Sequence, residues 1–179
     1  MVNEITWKKL VNIAKKQYGL KQIKWIHSSK EFEPSGACNY REGIIYLNYN
    51  RLKDDNRVDF YGTGCDKPIE YKIESLKDYM FSIVIENNIE DGLFTEKLLD
   101  CFLSGTIPIY VGNKNNREFF DENGIIFFEG DEDLPNILDN LNEELYNSKI
   151  ESVKKNFELA KNYMFPEQLI QKFLEENES

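Results

Sequence analysis

The sequence predicts an α/β protein built on a doubly wound parallel sheet, and three observations carry that prediction. Short apolar runs suited to buried strands alternate with helical stretches from Val58 onward. The run from Phe81 to Gly112, FSIVIENNIEDGLFTEKLLDCFLSGTIPIYVG, reads as one complete strand, loop, helix and strand unit. Its polar residues gather where the first strand ends and the helix begins, the usual place for a ligand in an open α/β sheet.

Taken in order, Thr6 to Tyr18 sets Trp7, Leu10, Val11, Ile13, Ala14 and Tyr18 at near-helical spacing, with Gly19 as its stop. Ile23 to Ile26 and Gly43 to Asn48 read as short strands joined by a polar loop through Pro34, Ser35 and Gly36. These elements define a small α+β lobe over residues 1–55, and the charged stretch NRLKDDNR, Asn50 to Arg57, marks the boundary to a second domain over residues 56–179. In that domain Val58 to Gly62 is a strand running into the loop Gly62-Thr63-Gly64, and Glu74 to Tyr79 is a helical turn.

Phe81 to Ile85 is then an apolar strand that reaches Glu86 and Asn87 before breaking into the polar loop Asn88-Ile89-Glu90-Asp91-Gly92. Thr95 is placed to cap the next helix, whose apolar face comprises Leu98, Leu99, Phe102 and Leu103, and Gly105 stops it. Ile107 to Val111 gives the second strand of the unit, with Pro108 at its beginning and Gly112 closing it. Arg117 to Phe120 starts a further helix, Gly124 to Phe128 is a strand, and Asp133 to Leu141 is a helix with acidic residues at its favourable end. Ile150 to Tyr163 and Pro166 to Leu174 complete the chain as helices.

Bulk composition narrows the function. The 41% hydrophobic and 30% charged fractions are those of a soluble globular protein, and no apolar run reaches the ~20 residues of a membrane span. The N-terminus MVNEITWKKLVNIAKK scatters its basic residues through an amphipathic pattern, which is the pattern of a mature helix rather than a leader. A net charge of −10 argues against nucleic acid as the partner, so any phosphate site must be local. Cys38, Cys65 and Cys101 are odd in number and lack CxxC spacing, which disfavours a disulfide framework or a zinc site and points to a reducing compartment, the cytoplasm.

Helix N-termini present unpaired N–H groups and a positive dipole end, so a phosphate near Thr95 and Glu96 would be held by geometry, with Lys97 adding a point charge. Glu96 repels phosphate but suits a vicinal diol such as that of a ribose, and a nucleotide sugar carries both groups. The competing reading makes Glu96 and Lys97 solvated residues at the start of a surface helix. His27, the single histidine, fits a packing or hydrogen-bonding role better than a catalytic one.

The segments IEN and FTEKLLDCFLSGTIPIYVGN resemble the donor-binding signature of the family 10 glycosyltransferases, the α-1,3/1,4-fucosyltransferases. With VDFYGTG and YMFSIVIEN upstream and the IIFF strand with its helix downstream, the resemblance covers about two-thirds of the chain and is far more specific than a lone glycine motif. It implies a Rossmann-like sheet forming the C-terminal half of a GT-B enzyme, binding GDP-fucose or a related nucleotide sugar. By position, Asn87, Glu96 and Lys97 fall on donor-contacting sites, with Glu86 and Thr95 alongside them and Arg51 as the candidate phosphate-binding arginine. Glu96 would meet donor hydroxyls and Lys97 the diphosphate, stabilising charge on the departing nucleotide.

The implied reaction is inverting transfer of a sugar, fucose from GDP-fucose, to an acceptor hydroxyl on a glycan, with no obligatory cofactor or metal. Leu93 stands where the family commonly has Tyr. Asp131-Glu132-Asp133 has the composition of a metal-binding triplet but directly precedes a helix, which favours a capping role. The acceptor domain of such an enzyme is longer than residues 1–55, and the spacing of Glu31, Glu33 and Glu42 selects none as a base. The acceptor site would then come from a partner chain or an oligomer. The alternative is a non-catalytic nucleotide-sugar-binding module.

Overall fold

In the computed structural model the described residues are 21–26, 52, 54–61, 67, 71–86, 91–128 and 134–164. They build a five-stranded, wholly parallel sheet in the order β2-β1-β3-β4-β5, from β1 (Lys21–Ile26), β2 (Val58–Tyr61), β3 (Tyr79–Ile85), β4 (Ile107–Val111) and β5 (Ile126–Phe127). The helices are α1 (Glu96–Ser104), α2 (Leu134–Asp139), α3 (Glu143–Ser148) and α4 (Ile150–Lys161).

β3 and β4 are buried along their whole length, as the near-continuous apolar runs YMFSIVI and IPIYV require of strands covered on both faces. Alternate residues feed two cores. Phe81, Ile83, Ile85, Ile107, Ile109 and Val111 join Leu134, Leu138 and Tyr146 of the α2 and α3 layer. Val84 and Tyr110 join Leu98, Cys101 and Phe102 of α1 and Ala160 of α4. The period-two strand pattern thus sorts side chains between the two faces.

Several expected elements take a different form. β1 lies before the boundary expected at residue 55, yet it pairs with β2 through Ile23↔Val58 and with β3 through Ile23↔Phe81. The strand read at Ile23 to Ile26 is therefore a central member of the sheet, with parallel partners that lie far along the chain. The turn expected over Glu74 to Tyr79 is a 3-10 segment over Lys72–Ser75, and Tyr79 already begins β3. The helix expected from Arg117 is a 3-10 segment over Lys114–Glu118, capped by the Asn113 side chain on Asn115 N at 2.6 Å. The strand expected over Gly124 to Phe128 is cut to two residues. The helices expected at Thr6 to Tyr18 and Pro166 to Leu174, the strand at Gly43 to Asn48, His27 and the triplet Asp131 to Asp133 lie outside the described residues.

α1 matches its expected limits. Thr95 caps it, and Gly105 ends it in the left-handed region at φ 74°, which only glycine enters without a Cβ penalty. Its buried apolar face is Leu98, Cys101 and Phe102, while Leu99 and Leu103 are half-buried. The carbonyl of Gly105 then accepts a 2.7 Å bond from the buried Tyr146 hydroxyl, whose pKa burial pushes up to about 12.

At the amino end of β2, Arg57 makes a forked pair with Asp55 at 2.7 and 3.0 Å and reaches Asp139, at the end of α2, at 2.9 Å. Its hydrogen bonds hold the Asp55 carboxyl below the usual carboxylate range. Because the folded pKa is depressed, the pair stabilises the fold at pH values above 3.8, the ordinary value of the group, and that stability is lost as pH falls through the folded pKa. Asp55→Asn is expected to cost about 1 kcal/mol at pH 7, discounted for the partial exposure of Arg57. In thermal melts the gap between variant and wild type should close on acidification below pH 3.8; a gap that persisted unchanged would show that the ion pair is not its source.

Candidate functional site

Strand order places the site. The chain passes from β1 outward to β2 and then returns to β3 on the other side of β1, so the sheet switches direction between β1 and β3. In open parallel sheets ligands bind beyond the carboxyl ends of the strands at that point. Glu86 follows the last residue of β3 directly and is held there by its own N–H on the Val111 carbonyl at 2.9 Å. The expected polar cluster therefore stands at the mouth of the switch.

Glu86 is the centre of this cluster. Its side chain has no exposed surface. The Thr95 N–H donates to Oε1 at 3.0 Å and the Thr95 hydroxyl donates to Oε2 at 2.7 Å. A third group, the fully buried Tyr110 hydroxyl, lies 3.5 Å from Oε1 and receives a 2.9 Å bond from Asn116 Nδ2. Burial, and then the Glu86 charge, pushes the Tyr110 pKa well above the tyrosine range, so this hydroxyl stays protonated. Gly112 leaves the room the ring needs, since a Cβ there would stand 2.3 Å from Tyr110 Cζ.

Lys97, in the first turn of α1, completes the arrangement. Its ammonium is 3.1 Å from Thr95 Oγ1, 3.6 Å from Glu86 Oε2 and 3.5 Å from Glu96 Oε1. Each of its three protons has an acceptor nearby. Glu96 is 60% exposed in its side chain, whereas Lys97 is 27% exposed and turns its ammonium onto Thr95 and the buried Glu86.

Of the residues singled out in the sequence, the fold brings Glu86, Thr95, Glu96 and Lys97 together. Asn87 and Arg51 lie outside the described residues. Two of the four have an inward role: Glu86 and Thr95 are bonded to each other, so the helix terminus already holds an anion, the Glu86 carboxylate, and the Thr95 N–H is committed to it. Glu96 is left as the outward-facing group, and the Lys97 ammonium stands between it and the inward pair. Arg57, the other arginine near β2, is held by Asp55 and Asp139 at the amino end of that strand, away from the carboxyl-end site.

Sequence reading missed Tyr110, Asn116 and the clasp in which Asn113 and Asn115 both donate to Asp91 Oδ1, at 2.7 and 2.9 Å. That clasp ties the end of the β3–α1 loop to the segment after β4. The run Gly112-Asn113-Lys114-Asn115-Asn116 was the available signal, since clustered Asn residues favour side-chain to backbone turns. Among the described residues no group of three His, Cys, Asp or Glu side chains is placed to hold a metal ion. No described helix is long and apolar enough to cross a membrane.

A parallel sheet with helices on both faces is the architecture of one half of a GT-B fold. Residues 21–169 match the family model of the glycosyltransferase family 10 (fucosyltransferase) C-terminal domain, and the chain belongs to that family. It is 37% identical over 87 residues to a fucosyltransferase-like protein of Arabidopsis thaliana, covering 47% of this chain and 16% of that one. It is 34% identical over 58 residues to the α-(1,3)-fucosyltransferase FucT of Helicobacter pylori, covering 32% of this chain and 12% of that one. Among solved structures, an α1,3-fucosyltransferase crystallised with GDP-fucose aligns over 87% of this chain and 53% of its own, at a TM-score of 0.58 and 18% identity, a likeness of fold. This chain therefore spans about half of that structure and a small part of the two curated relatives.

Thr95 joins Glu86, Lys97 and the α1 terminus through one hydroxyl. Thr95→Val should destabilise the protein by about 2 kcal/mol, through loss of the cap and of a bond to a buried carboxylate, whereas Thr95→Ser should cost under about 0.5 kcal/mol. Thermal denaturation of both variants checks this, and equal losses would remove the hydroxyl from the account.

Proposed function

We propose that this chain is the donor-binding half of a fucosyltransferase-like glycosyltransferase, holding a nucleotide sugar, GDP-fucose, across the switch point. The observation that carries the reading is the TEK triplet of a family 10 domain set at a capped helix terminus beside the carboxyl end of β3, with Glu96 exposed and the Lys97 ammonium beside it. Lys97 contacts the diphosphate and stabilises the charge that develops on the departing nucleotide. Glu96 accepts hydrogen bonds from donor hydroxyls. Asn87, which follows Glu86 directly in the sequence, supplies a further contact to the donor, and Arg51 is assigned to the phosphate on the resemblance alone.

The reaction is transfer of the sugar to an acceptor hydroxyl of a glycan, with inversion. Since Lys97 provides the positive charge at the leaving group, a metal is not obligatory in the chemical step, and turnover should survive EDTA. The acceptor site and its base come from outside these residues, through a partner chain or an oligomer. The cytoplasm is the compartment that the cysteine content favours.

A second reading is a nucleotide-sugar-binding module without transferase activity. Calorimetric titration with GDP-fucose, GDP-mannose and UDP sugars, followed by assays of donor hydrolysis and of transfer to galactosyl and N-acetylglucosaminyl acceptors, separates the two. Binding of GDP-fucose with transfer supports the enzyme; binding without hydrolysis or transfer supports the module; no binding at millimolar concentration defeats both. Lys97→Met should weaken GDP binding by about tenfold or more, the scale of a lost charge-assisted hydrogen bond, and unchanged affinity would remove Lys97 from the donor site.

A further inference from the structure

Glu86 is an anion that the fold itself supplies to the place where a phosphate would otherwise sit. Its carboxylate takes the Thr95 N–H and hydroxyl at 3.0 and 2.7 Å, and its Oε2 stands 3.6 Å from the Lys97 ammonium. With Glu96 at 3.5 Å, Lys97 is flanked by two carboxylates, so the trio carries a net single negative charge before any ligand arrives.

The two carboxylates are not alike. The Glu96 side chain is 60% exposed. Glu86 is fully enclosed, with both oxygens hydrogen-bonded and its backbone fixed to β4, so it cannot withdraw when an anion approaches. A diphosphate on Lys97 would share the ammonium with a fixed, buried like charge, in surroundings that screen poorly.

We propose that Glu86 is a positioning residue that holds Lys97 on the Thr95 hydroxyl in the empty site and competes with the diphosphate for it, so that its charge limits how tightly the nucleoside diphosphate is retained. This rests on the assignment of Lys97 to the donor diphosphate made above. For a transferase the consequence falls on the product. The leaving nucleoside diphosphate carries more negative charge than the donor, is repelled more strongly by Glu86, and departs faster than it would from a site with Lys97 alone.

The test is calorimetry and stopped-flow release of GDP from wild type, Glu86→Gln, Lys97→Met and the double variant, with thermal melts of each. Glu86→Gln keeps the shape and an acceptor for the Thr95 N–H while removing the charge. It should bind GDP about 3- to 10-fold more tightly, with the gain in a slower release rate. In the Lys97→Met background the same change should alter affinity by less than about 2-fold, because the competition needs the ammonium. A role confined to building the α1 terminus predicts weaker binding in both backgrounds, and that result, or unchanged binding by folded Glu86→Gln, overturns the proposal. If Glu86→Gln does not fold, Glu86→Asp, which draws the charge back by one methylene, should show the same direction to a smaller extent, and no gain there is equally decisive against it. Failure of wild type to bind GDP defeats the donor assignment and this inference together. Binding by wild type that Lys97→Met weakens, with no gain from either Glu86 variant, defeats this inference alone.

Discussion

The arrangement of this domain depends on one buried carboxylate. Glu86 has no solvent contact, and an uncompensated charge in such a place would cost several kcal/mol. Compensation comes from the N–H and hydroxyl of Thr95, the dipole of α1 and the Lys97 ammonium, all of which belong to the start of one helix. The carboxylate thus fixes where α1 begins relative to β3, although nine positions of chain separate Glu86 from Thr95. Any ligand that touches the first turn of α1 meets side chains whose positions this single group has set.

The second constraint is the sheet. β3 is bounded by parallel strands on both sides, so its seven residues are buried throughout and its carboxyl end cannot drift. Because the chain reverses its direction of progress between β1 and β3, Glu86, which directly follows β3, stands beside the switch point. The two cores on opposite faces hold α1 against one side and α2 and α3 against the other. Tyr110 couples the two constraints: it sits in β4, packs into the α1 face and turns its hydroxyl to Glu86, which is possible only because Gly112 carries no side chain.

Much of this was legible in the sequence, where local rules were strong. Continuous apolar runs gave β3 and β4, and Thr95 with Gly105 gave both ends of α1, because cap and stop residues act within a few positions. Order was less legible. Nothing in KQIKWI says that it will pair with Val58 to Tyr61 on one side and Tyr79 to Ile83 on the other, since strand neighbours are chosen by the whole sheet. The segment after Gly112 read as helix but forms 3-10 turns, because Asn113 and Asp121 bond their own backbones two residues on and so divert it. The direction of Glu86 was also hidden. Its neighbours in sequence are an apolar strand and a polar loop, and only folding shows that it turns inward to Thr95 while Glu96, ten positions later, turns out.

The division between inward and outward carboxylates bears on what the rest of the catalytic apparatus must do. In the proposed inverting transfer, the acceptor hydroxyl attacks the face of the sugar opposite the departing diphosphate. With the donor placed as proposed, Lys97, Thr95 and the α1 terminus would lie on the diphosphate side, and the Glu86 side chain is buried behind them. Neither Glu86 nor the groups around it can therefore take the acceptor proton; the first is enclosed and the others are on the wrong face. In that reading the base would approach from the opposite side, on a segment or chain that covers the carboxyl ends of β1 and β3. Such a cover would also exclude water from Lys97 and strengthen its hold on the developing negative charge. A fixed internal anion then acquires a purpose, because a closed site that binds the leaving nucleotide strongly in the transition state still has to release it afterwards.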